Sequence, residues 1–329
     1  MKYKIFLLTI AVTSIFFAGC EKEKYIYEPG NLVPKTVDQD QTLPSITING
    51  TLLHAETFGN PDSAMVVFLH GGPGADYRNG LAVKQLADNG YYVVFYDQRG
   101  SGLSKRHDKG SFTIQQMFDD LSAVIQYYRK SPTQKIFLFG HSWGAILAAG
   151  YINQNPSLIS GAIFAEPGGF TWENLQKYGE RTRKLELFAE GTSDALYIDQ
   201  FITGKENEHE ILDYKLNVSS SFTYQKGNAE GIEGPSPMWR NGAIVLTSLG
   251  DIASKDGYDF TTNLNQYNTK VLFLYGELNT AYGLEFAEME AQYFPNTQIT
   301  QIDDTGHEMI YFKWGNVYPV ALTYFNSLK

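Results

Sequence analysis

Short apolar runs alternate with helical patterns along most of this chain, and that alternation limits its fold more than any other feature. Five runs rich in Val, Ile, Phe or Tyr predict buried strands, at residues 64–70, 91–97, 135–140, 161–165 and 271–275. Helical patterns lie between most of them, at residues 81–88, 114–128 and 143–154. Because parallel strands need such crossovers, the alternation predicts an α/β fold, with a mostly parallel sheet flanked by helices.

The alternation is interrupted once, which divides the predicted core into two parts. Residues 46–167 form the first part, which opens with a hairpin turning at Asn49-Gly50, and residues 269–329 form the second. The second part adds a helix near 284–293, a strand at 298–302 and a closing helix at 317–328. Residues 168–268 are polar, rich in Tyr and helical in places, as at 173–190. This stretch predicts a helical cap inserted over the sheet.

The only cysteine of the chain follows a segment that has the pattern of a targeting signal. Residues 1–19 combine a basic start, a short apolar stretch and small residues, which is the pattern of a secretory signal. Because the break falls at Cys20, the sequence Phe17-Ala18-Gly19-Cys20 resembles the lipobox of bacterial lipoproteins, with Phe17 where Leu is usual. The resemblance implies a lipid on Cys20 and a place in the bacterial cell envelope, the outer membrane favoured over the inner. The alternatives for residues 1–19 are an ordinary signal peptide or a buried start of the fold. Residues 20–45, which follow, predict a tether between the lipid and the folded domain.

Composition excludes several classes of function. The 26 Lys+Arg against 36 Asp+Glu give a net charge of −10, which argues against a general binder of nucleic acid or of anionic membranes. Hydrophobic residues at 43% and charged residues at 19% exclude a disordered chain. One cysteine excludes an internal disulfide framework and a Cys-based zinc site, and nothing implies a metal or an organic cofactor. The expected partners are a small-molecule or short-peptide substrate and, through Cys20, a membrane.

A candidate nucleophile lies at the turn between a predicted strand and a predicted helix. The sequence Gly140-His141-Ser142-Trp143-Gly144 is Gly-x-Ser-x-Gly in the context that this motif requires. Small residues flank the serine because a sharp turn holds it in a strained conformation, and the helix N-terminus adds backbone N–H donors. The motif predicts that Ser142 is a nucleophile; the alternative is a purely structural turn.

Two glycine-containing loops follow neighbouring strands. In His70-Gly71-Gly72-Pro73-Gly74 the backbone can bend close to a ligand and present an N–H to a developing oxyanion, unless the loop is merely structural. The loop Asp97-Gln98-Arg99-Gly100-Ser101-Gly102 lacks the third glycine and the acidic residue of a nucleotide-binding loop. It predicts a structural loop that braces the site.

Six histidines compete for the role of the base. His307 follows the last predicted strand, where the histidine belongs in the chain order Ser, acid, His. His70 and His141 belong to the motifs above, His54 and His107 have no partner motif, and His209 lies among acidic residues. His307 is therefore the predicted base.

These motifs together resemble the α/β-hydrolase fold, and within it the proline iminopeptidase-like serine hydrolases. The resemblance covers about residues 46–329 in order, apart from the poorly matched insertion. It implies that Ser142 is the nucleophile, that His307 is the base, and that the backbone N–H groups of Gly72 and Trp143 form the oxyanion hole.

Two positions depart from the pattern of that family. The family's acid follows the strand matched at 271–275 as Gly-x-x-Asp, whereas this chain has Gly276-Glu277-Leu278-Asn279. An amide can orient a histidine, but it supplies no charge to stabilise the imidazolium. Family aminopeptidases also carry a cap glutamate after a tryptophan, and Arg240 falls at the nearest match, after Trp239.

Three residues compete to orient His307. Asn279 occupies the motif position, and Glu277 lies two residues earlier at a position that does not face the histidine. Glu166 ends the strand predicted at 161–165, which in doubly wound order lies between the elbow strand and the strand at 271–275; alternatively, Glu166 only starts the cap. The sequence leaves Asn279 and Glu166 open.

The function implied is a serine hydrolase acting by acyl transfer, with a proline iminopeptidase-like aminopeptidase on short peptides favoured. The alternatives are an esterase or amidase on a small substrate, and a catalytically weakened ligand-binding lipoprotein on a hydrolase scaffold.

Overall fold

A computed structural model gives the structure of the protein and describes residues 32–182, 208–222 and 228–329. The predicted signal peptide, Cys20 and the first part of the predicted tether lie outside the described residues. The C-terminal part of the helix predicted at 173–190 also lies outside the described residues.

One mostly parallel sheet of eight strands forms the centre of the described structure. The strands are β1 Ser45–Ile48, β2 Thr51–Phe58, β3 Ala64–Leu69, β4 Tyr91–Tyr96, β5 Ile136–His141, β6 Gly161–Ala165, β7 Val271–Gly276 and β8 Thr297–Ile302. Their order is β1-β2-β4-β3-β5-β6-β7-β8, and only β1 with β2 and β2 with β4 pair antiparallel. The sheet confirms the predicted strands, and β6 lies between β5 and β7. The carboxyl ends of these three strands therefore meet at one edge, where ligands bind in open α/β sheets.

Helices cover both faces of the sheet. The helices of the described residues are α1 Ile114–Tyr128, α2 Trp143–Gln154, α3 Trp172–Arg181, α4 His209–Phe222, α5 Ala243–Asp256, α6 Gly283–Ala291, α7 Met309–Phe312 and α8 Trp314–Leu328. Short 3₁₀ segments span Tyr77–Asn89, Lys109–Ser111 and Leu264–Gln266. Thr113 caps α1, since its side chain accepts a hydrogen bond from the Gln116 N–H at the first turn.

Alternate residues of the central strands point to opposite faces, which gives the protein two apolar layers. Val67 on β3 packs in the layer of α1 and α2, together with Leu147. Its neighbour Val66 packs in the layer of α8, together with Phe325. Each such fully buried side chain contributes about 1.5–3 kcal/mol of transfer free energy, so the sheet is a rigid support for the loops at its edge.

The residues between β6 and β7 include α3, α4 and α5, within the range where a cap was predicted. The predicted tether at 20–45 is corrected in its second half, because Val33, Thr36 and Val37 are buried. The Val37 N–H donates to the Leu103 carbonyl at 2.8 Å, so this segment is packed against the body. In the described ranges, no helix is both long and apolar enough to cross a membrane.

Candidate active site

Ser142 lies at a sharp turn between β5 and α2. Its φ of 54° and ψ of −123° are rare for a residue with a side chain and cost of the order of 1–3 kcal/mol. The flanking glycines are required by close packing: a Cβ at Gly140 would lie 2.5 Å from the Ala145 Cα, and one at Gly144 would lie 1.9 Å from the Leu69 carbonyl oxygen. The strained elbow predicted from Gly-x-Ser-x-Gly is present.

His307 is joined to a buried carboxylate at the end of the neighbouring strand. The His307 Nδ1–H donates to Glu166 Oε2 at 2.9 Å, and Glu166 is fully buried. Glu166 follows β6 directly and has a φ of 46°, a second positive value at this edge of the sheet. The Gly276 N–H donates to Glu166 Oε1 at 2.6 Å, and this contact fixes the plane of the carboxylate.

Asn279 contacts the carboxylate of Glu166. Its Nδ2 donates to Glu166 Oε2 at 2.8 Å, while its Oδ1 accepts the N–H groups of Ala281 and Tyr282 at 3.1 Å each. Because two backbone donors hold Oδ1, the amide presents a donor to Glu166. Glu277, the weakest of the three candidates, instead accepts the Asp304 N–H at 2.8 Å in an exposed position. The geometry therefore brings Glu166 to the histidine ring and leaves Asn279 one step behind it.

The charges around His307 favour its protonated form. Burial disfavours the imidazolium, but the hydrogen bond and charge of Glu166 outweigh it, and the charges of Glu230 and Glu308 act in the same direction. Together they raise the pKa of His307 to about 9. An imidazole with this pKa is mostly protonated near neutral pH and becomes able to accept a proton at alkaline pH.

The elbow and the histidine loop are directly connected. His141, the residue before Ser142, donates from Nε2 to the His307 carbonyl at 2.7 Å, and the two rings lie 4.8 Å apart. His141 is itself buried, and burial first, then the charge of His307, lowers its pKa. His141 is therefore a neutral donor that joins the histidine loop to the residue before Ser142.

The glycine-rich loop passes beside the serine. A Cβ at Gly71 would lie 3.2 Å from the Ser142 Cβ, and the following Gly72 has a φ of 118°. Trp143 is the first residue of α2, so its N–H has no partner within the helix. Both predicted oxyanion donors thus belong to segments adjacent to Ser142.

The loop after β4 braces these segments, as predicted. Gln98 Nε2 donates to the His70 carbonyl at 3.0 Å, and Gln98 Oε1 accepts the indole N–H of Trp143 at 2.9 Å. The sequence assigned no partner to His54, yet its Nδ1–H donates to Asp97 at 2.8 Å. The antiparallel pairing of β2 with β4 could have predicted this pair, because its register, continued by one residue beyond Ala55 and Tyr96, sets residue 54 opposite residue 97.

Two side chains near His307 were not predicted from the sequence. Tyr178 on α3 has its hydroxyl oxygen 3.4 Å from His307 Nδ1 and donates to Glu230 Oε1 at 3.2 Å. The Glu230 carbonyl accepts the His307 N–H at 2.8 Å. Neither residue belongs to a motif, and both lie in the stretch between β6 and β7, which has no regular sequence pattern.

Arg240, at the position expected for the cap glutamate, lies in a buried ion-pair cluster. Its Nε donates to Asp213 at 2.7 Å, and Arg106 donates to the same carboxylate oxygen at 2.8 Å. Its Nη1 donates to the Pro34 carbonyl at 2.9 Å. Arg240 thus joins the region between β6 and β7 to the N-terminal segment. In the part of the chain that the structure describes, no group of three or more His, Cys, Asp or Glu side chains is arranged to hold a metal ion.

Comparison with known proteins finds relatives among the hydrolases. A family of hydrolases described as serine aminopeptidase, S33, matches residues 60–200. A proline iminopeptidase of Heyndrickxia coagulans is 26% identical over 268 residues, which are 75% of this chain and 85% of the relative.

Solved structures match over most of the chain. The proline iminopeptidase of Mycobacterium smegmatis superimposes with a TM-score of 0.60 at 16% identity, over 86% of this chain and 97% of that one. A malate-bound thermophilic esterase from Thermogutta terrifontis reaches a TM-score of 0.59 at 20% identity, over 87% and 97% of the two chains. The chain therefore has the α/β-hydrolase fold, which confirms the predicted fold class.

Proposed function

We propose that this protein is a serine hydrolase that works by acyl transfer, with Ser142 as nucleophile, His307 as base and Glu166 as the acid. The hydrogen bond of 2.9 Å between His307 Nδ1 and the buried Glu166 carboxylate, at the edge of the sheet that carries the serine elbow, is the observation that supports it most strongly.

The proposed reaction has two halves. Ser142 Oγ attacks the substrate carbonyl while His307 Nε2 takes the hydroxyl proton, and the N–H groups of Gly72 and Trp143 stabilise the oxyanion. The leaving group departs with that proton, which leaves an acyl-serine. Water, deprotonated by His307, then attacks the ester and releases the acid product and free Ser142.

The alternative of a weakened binding protein rested on Asn279 replacing the acid. A carboxylate within hydrogen-bond distance of His307 removes the main argument for it, because Glu166 supplies the charge that Asn279 lacks.

For the substrate, we propose the N-terminal peptide bond of short peptides. The family match and the proline iminopeptidase relative support this class. A small ester or amide is the second candidate. It is favoured by Arg240, which puts a buried, paired cation where family aminopeptidases have the amine-binding glutamate.

A fluorophosphonate probe and three chromogenic substrates test the proposal. Wild-type protein should be labelled, Ser142→Ala should not, and the control Ser131→Ala, at an exposed serine after α1, should label as the wild type does. Faster turnover of prolyl 4-nitroanilide than of its N-acetylated form would support the peptidase. Turnover of 4-nitrophenyl acetate alone would support the esterase. Labelling that persists in Ser142→Ala contradicts the proposed nucleophile.

We further propose that Cys20 carries a lipid that anchors the protein in the bacterial cell envelope, the outer membrane being the more expected site. The basic and apolar segment before the only cysteine supports this. Intact-mass analysis of the detergent-extracted protein should show the added acyl mass, since several chains are needed for firm anchoring. A Cys20→Ser protein that still carries lipid would contradict it.

A further inference from the structure

Residues 228–232 connect the two loops that carry the candidate catalytic groups. The Ala229 carbonyl accepts the Ala281 N–H at 3.0 Å, in the loop that also holds Asn279. The next carbonyl, of Glu230, accepts the His307 N–H at 2.8 Å. A Cβ at Gly306 would lie 2.2 Å from the Gly231 carbonyl oxygen, so this segment is packed directly on the histidine loop.

The Glu230 side chain continues this contact. It is 4% exposed, and its Oε1 accepts the hydroxyl proton of Tyr178 at 3.2 Å. The same hydroxyl oxygen lies 3.4 Å from His307 Nδ1, on the ring edge that also donates to Glu166. A carboxylate behind a hydroxyl makes the hydroxyl oxygen more negative, and such chains strengthen cooperatively.

The Tyr178 hydroxyl remains protonated in this setting. Burial, and then the charges of Glu230 and Glu166, raise the pKa of Tyr178 far above its usual range. Tyr178 is therefore a permanent donor to Glu230, and its oxygen, which also interacts with the Asn279 side chain, faces the histidine ring.

We propose that Tyr178 and Glu230 form a second positioning pair for His307, in addition to Glu166. This pair holds the ring and stabilises the imidazolium that forms during acyl transfer. This inference rests on the proposed function, since it assigns His307 the role of base. It gives the region between β6 and β7 a direct part in the electrostatics of the reaction.

The groups that face His307 come from several elements. Glu166 follows β6, Glu230 precedes α5, Glu308 follows His307 itself, and His141 ends β5 as a neutral donor. Removing the Glu230 charge leaves Glu166 and Glu308 in place. We therefore expect a measurable fall in the His307 pKa rather than its collapse.

The test compares Tyr178→Phe and Glu230→Gln with the wild type on 4-nitrophenyl acetate and on the fluorophosphonate, both of which lack an amine. In a plot against pH, the rising acid limb of kcat/KM should move to lower pH by about half a unit or more in Glu230→Gln, and the acid limb of the labelling rate should move with it. The value of kcat should fall several-fold while KM changes little. The double variant should resemble Glu230→Gln, because the relay needs both groups.

The control is Tyr282→Phe. Its ring lies 6.1 Å from that of Tyr178, and its buried hydroxyl has no hydrogen-bond partner among the described residues. Loss of this hydroxyl should leave the pH profile unchanged. If Glu230→Gln fails to fold, the Nδ1 proton resonance of His307 in Tyr178→Phe gives the same answer, since it should shift relative to the wild type.

Three results would overturn the inference: an unmoved acid limb in both variants, a shift equal to that of Tyr282→Phe, or an effect that is seen with prolyl 4-nitroanilide and with neither amine-free reagent, which would assign Glu230 to substrate recognition. Absence of labelling in the wild type would instead contradict the proposed function itself, so the two failures are distinguishable.

Discussion

The substitution Glu166→Gln should lower kcat/KM by about 10⁴-fold, which corresponds to ~5.4 kcal/mol of transition-state stabilisation. The carboxylate accepts three hydrogen bonds, from His307 Nδ1, Asn279 Nδ2 and the Gly276 N–H. Glutamine has one acceptor oxygen. If that oxygen faces His307 and Asn279, its NH₂ group meets the Gly276 N–H, and two donors oppose each other in a buried site.

That mismatch also affects stability. A buried donor without an acceptor costs about 1–3 kcal/mol, so Glu166→Gln should lower the free energy of unfolding by a similar amount. The catalytic loss is larger because the amide cannot stabilise the imidazolium of His307. The two effects are separated by measuring kcat/KM on 4-nitrophenyl acetate per folded molecule, with the melting temperature recorded in parallel.

Glu277→Gln is the matched control, since it removes a carboxylate from the loop after β7. This carboxylate is exposed, and in the described contacts it accepts a hydrogen bond only from the Asp304 N–H. It should change kcat/KM less than twofold. Full activity in Glu166→Gln would refute the assignment of the acid.

The reciprocal exchange sharpens this test. In Asn279→Asp, a second carboxylate would face Glu166 Oε2 across the present 2.8 Å contact, and two carboxylates this close cannot both ionise. The single variant should therefore lose activity, even though Asp is the usual residue at this motif position. In the double variant Glu166→Gln/Asn279→Asp, one negative charge returns beside the histidine, and activity should recover at least in part relative to Glu166→Gln.

Three further predictions concern pH and packing. The acid limb of kcat/KM should lie well above 6.5, toward the His307 pKa of about 9, so activity rises from neutral to alkaline pH. Gly144→Ala should yield little folded protein by circular dichroism, because its Cβ would lie 1.9 Å from the Leu69 carbonyl oxygen. Burial raises the pKa of Glu290 to about 7, so the stability linked to this group is greatest below pH 4.5 and is lost as pH rises through 7. Melting temperatures of Glu290→Gln should accordingly show a weaker decline between these values than the wild type, and an identical decline would contradict this.

The parts of the site that follow from local sequence patterns could be predicted, because each depends on a strand end and the residues next to it. Ser142 and His307 belong to this group. Glu166 could be placed near them from strand order alone, since β6 lies between β5 and β7. The choice between Glu166 and Asn279 could not be made, because it depends on the backbone turn at Glu166, with its φ of 46°, which no motif encodes.

Contacts made by the stretch between β6 and β7 were beyond the sequence for a different reason. Tyr178 and Glu230 are 52 positions apart, and they meet His307 only through the folding of a region that lacks a regular pattern. The packing of residues 33–37 was likewise hidden, because a short polar stretch with prolines looks the same whether it is free or bound.

If Cys20 carries a lipid, as proposed, the packing of the N-terminal segment at Val33 would limit how far the body of the protein can travel from a bilayer. With Cys20 as the attachment point, 12 residues would lie between it and Val33, the first buried residue of the described ranges, and the 13 fully extended steps from Cys20 to Val33 reach about 45 Å. A free tether of the full predicted length would reach roughly twice as far. The N-terminal segment also contacts Arg240, because the Pro34 carbonyl accepts a hydrogen bond from that side chain. The body would therefore be held at the side where the region between β6 and β7 meets the N-terminal segment. An enzyme anchored in this way would sample substrates in a thin layer above the membrane, and the direction in which its site opens would be constrained as well.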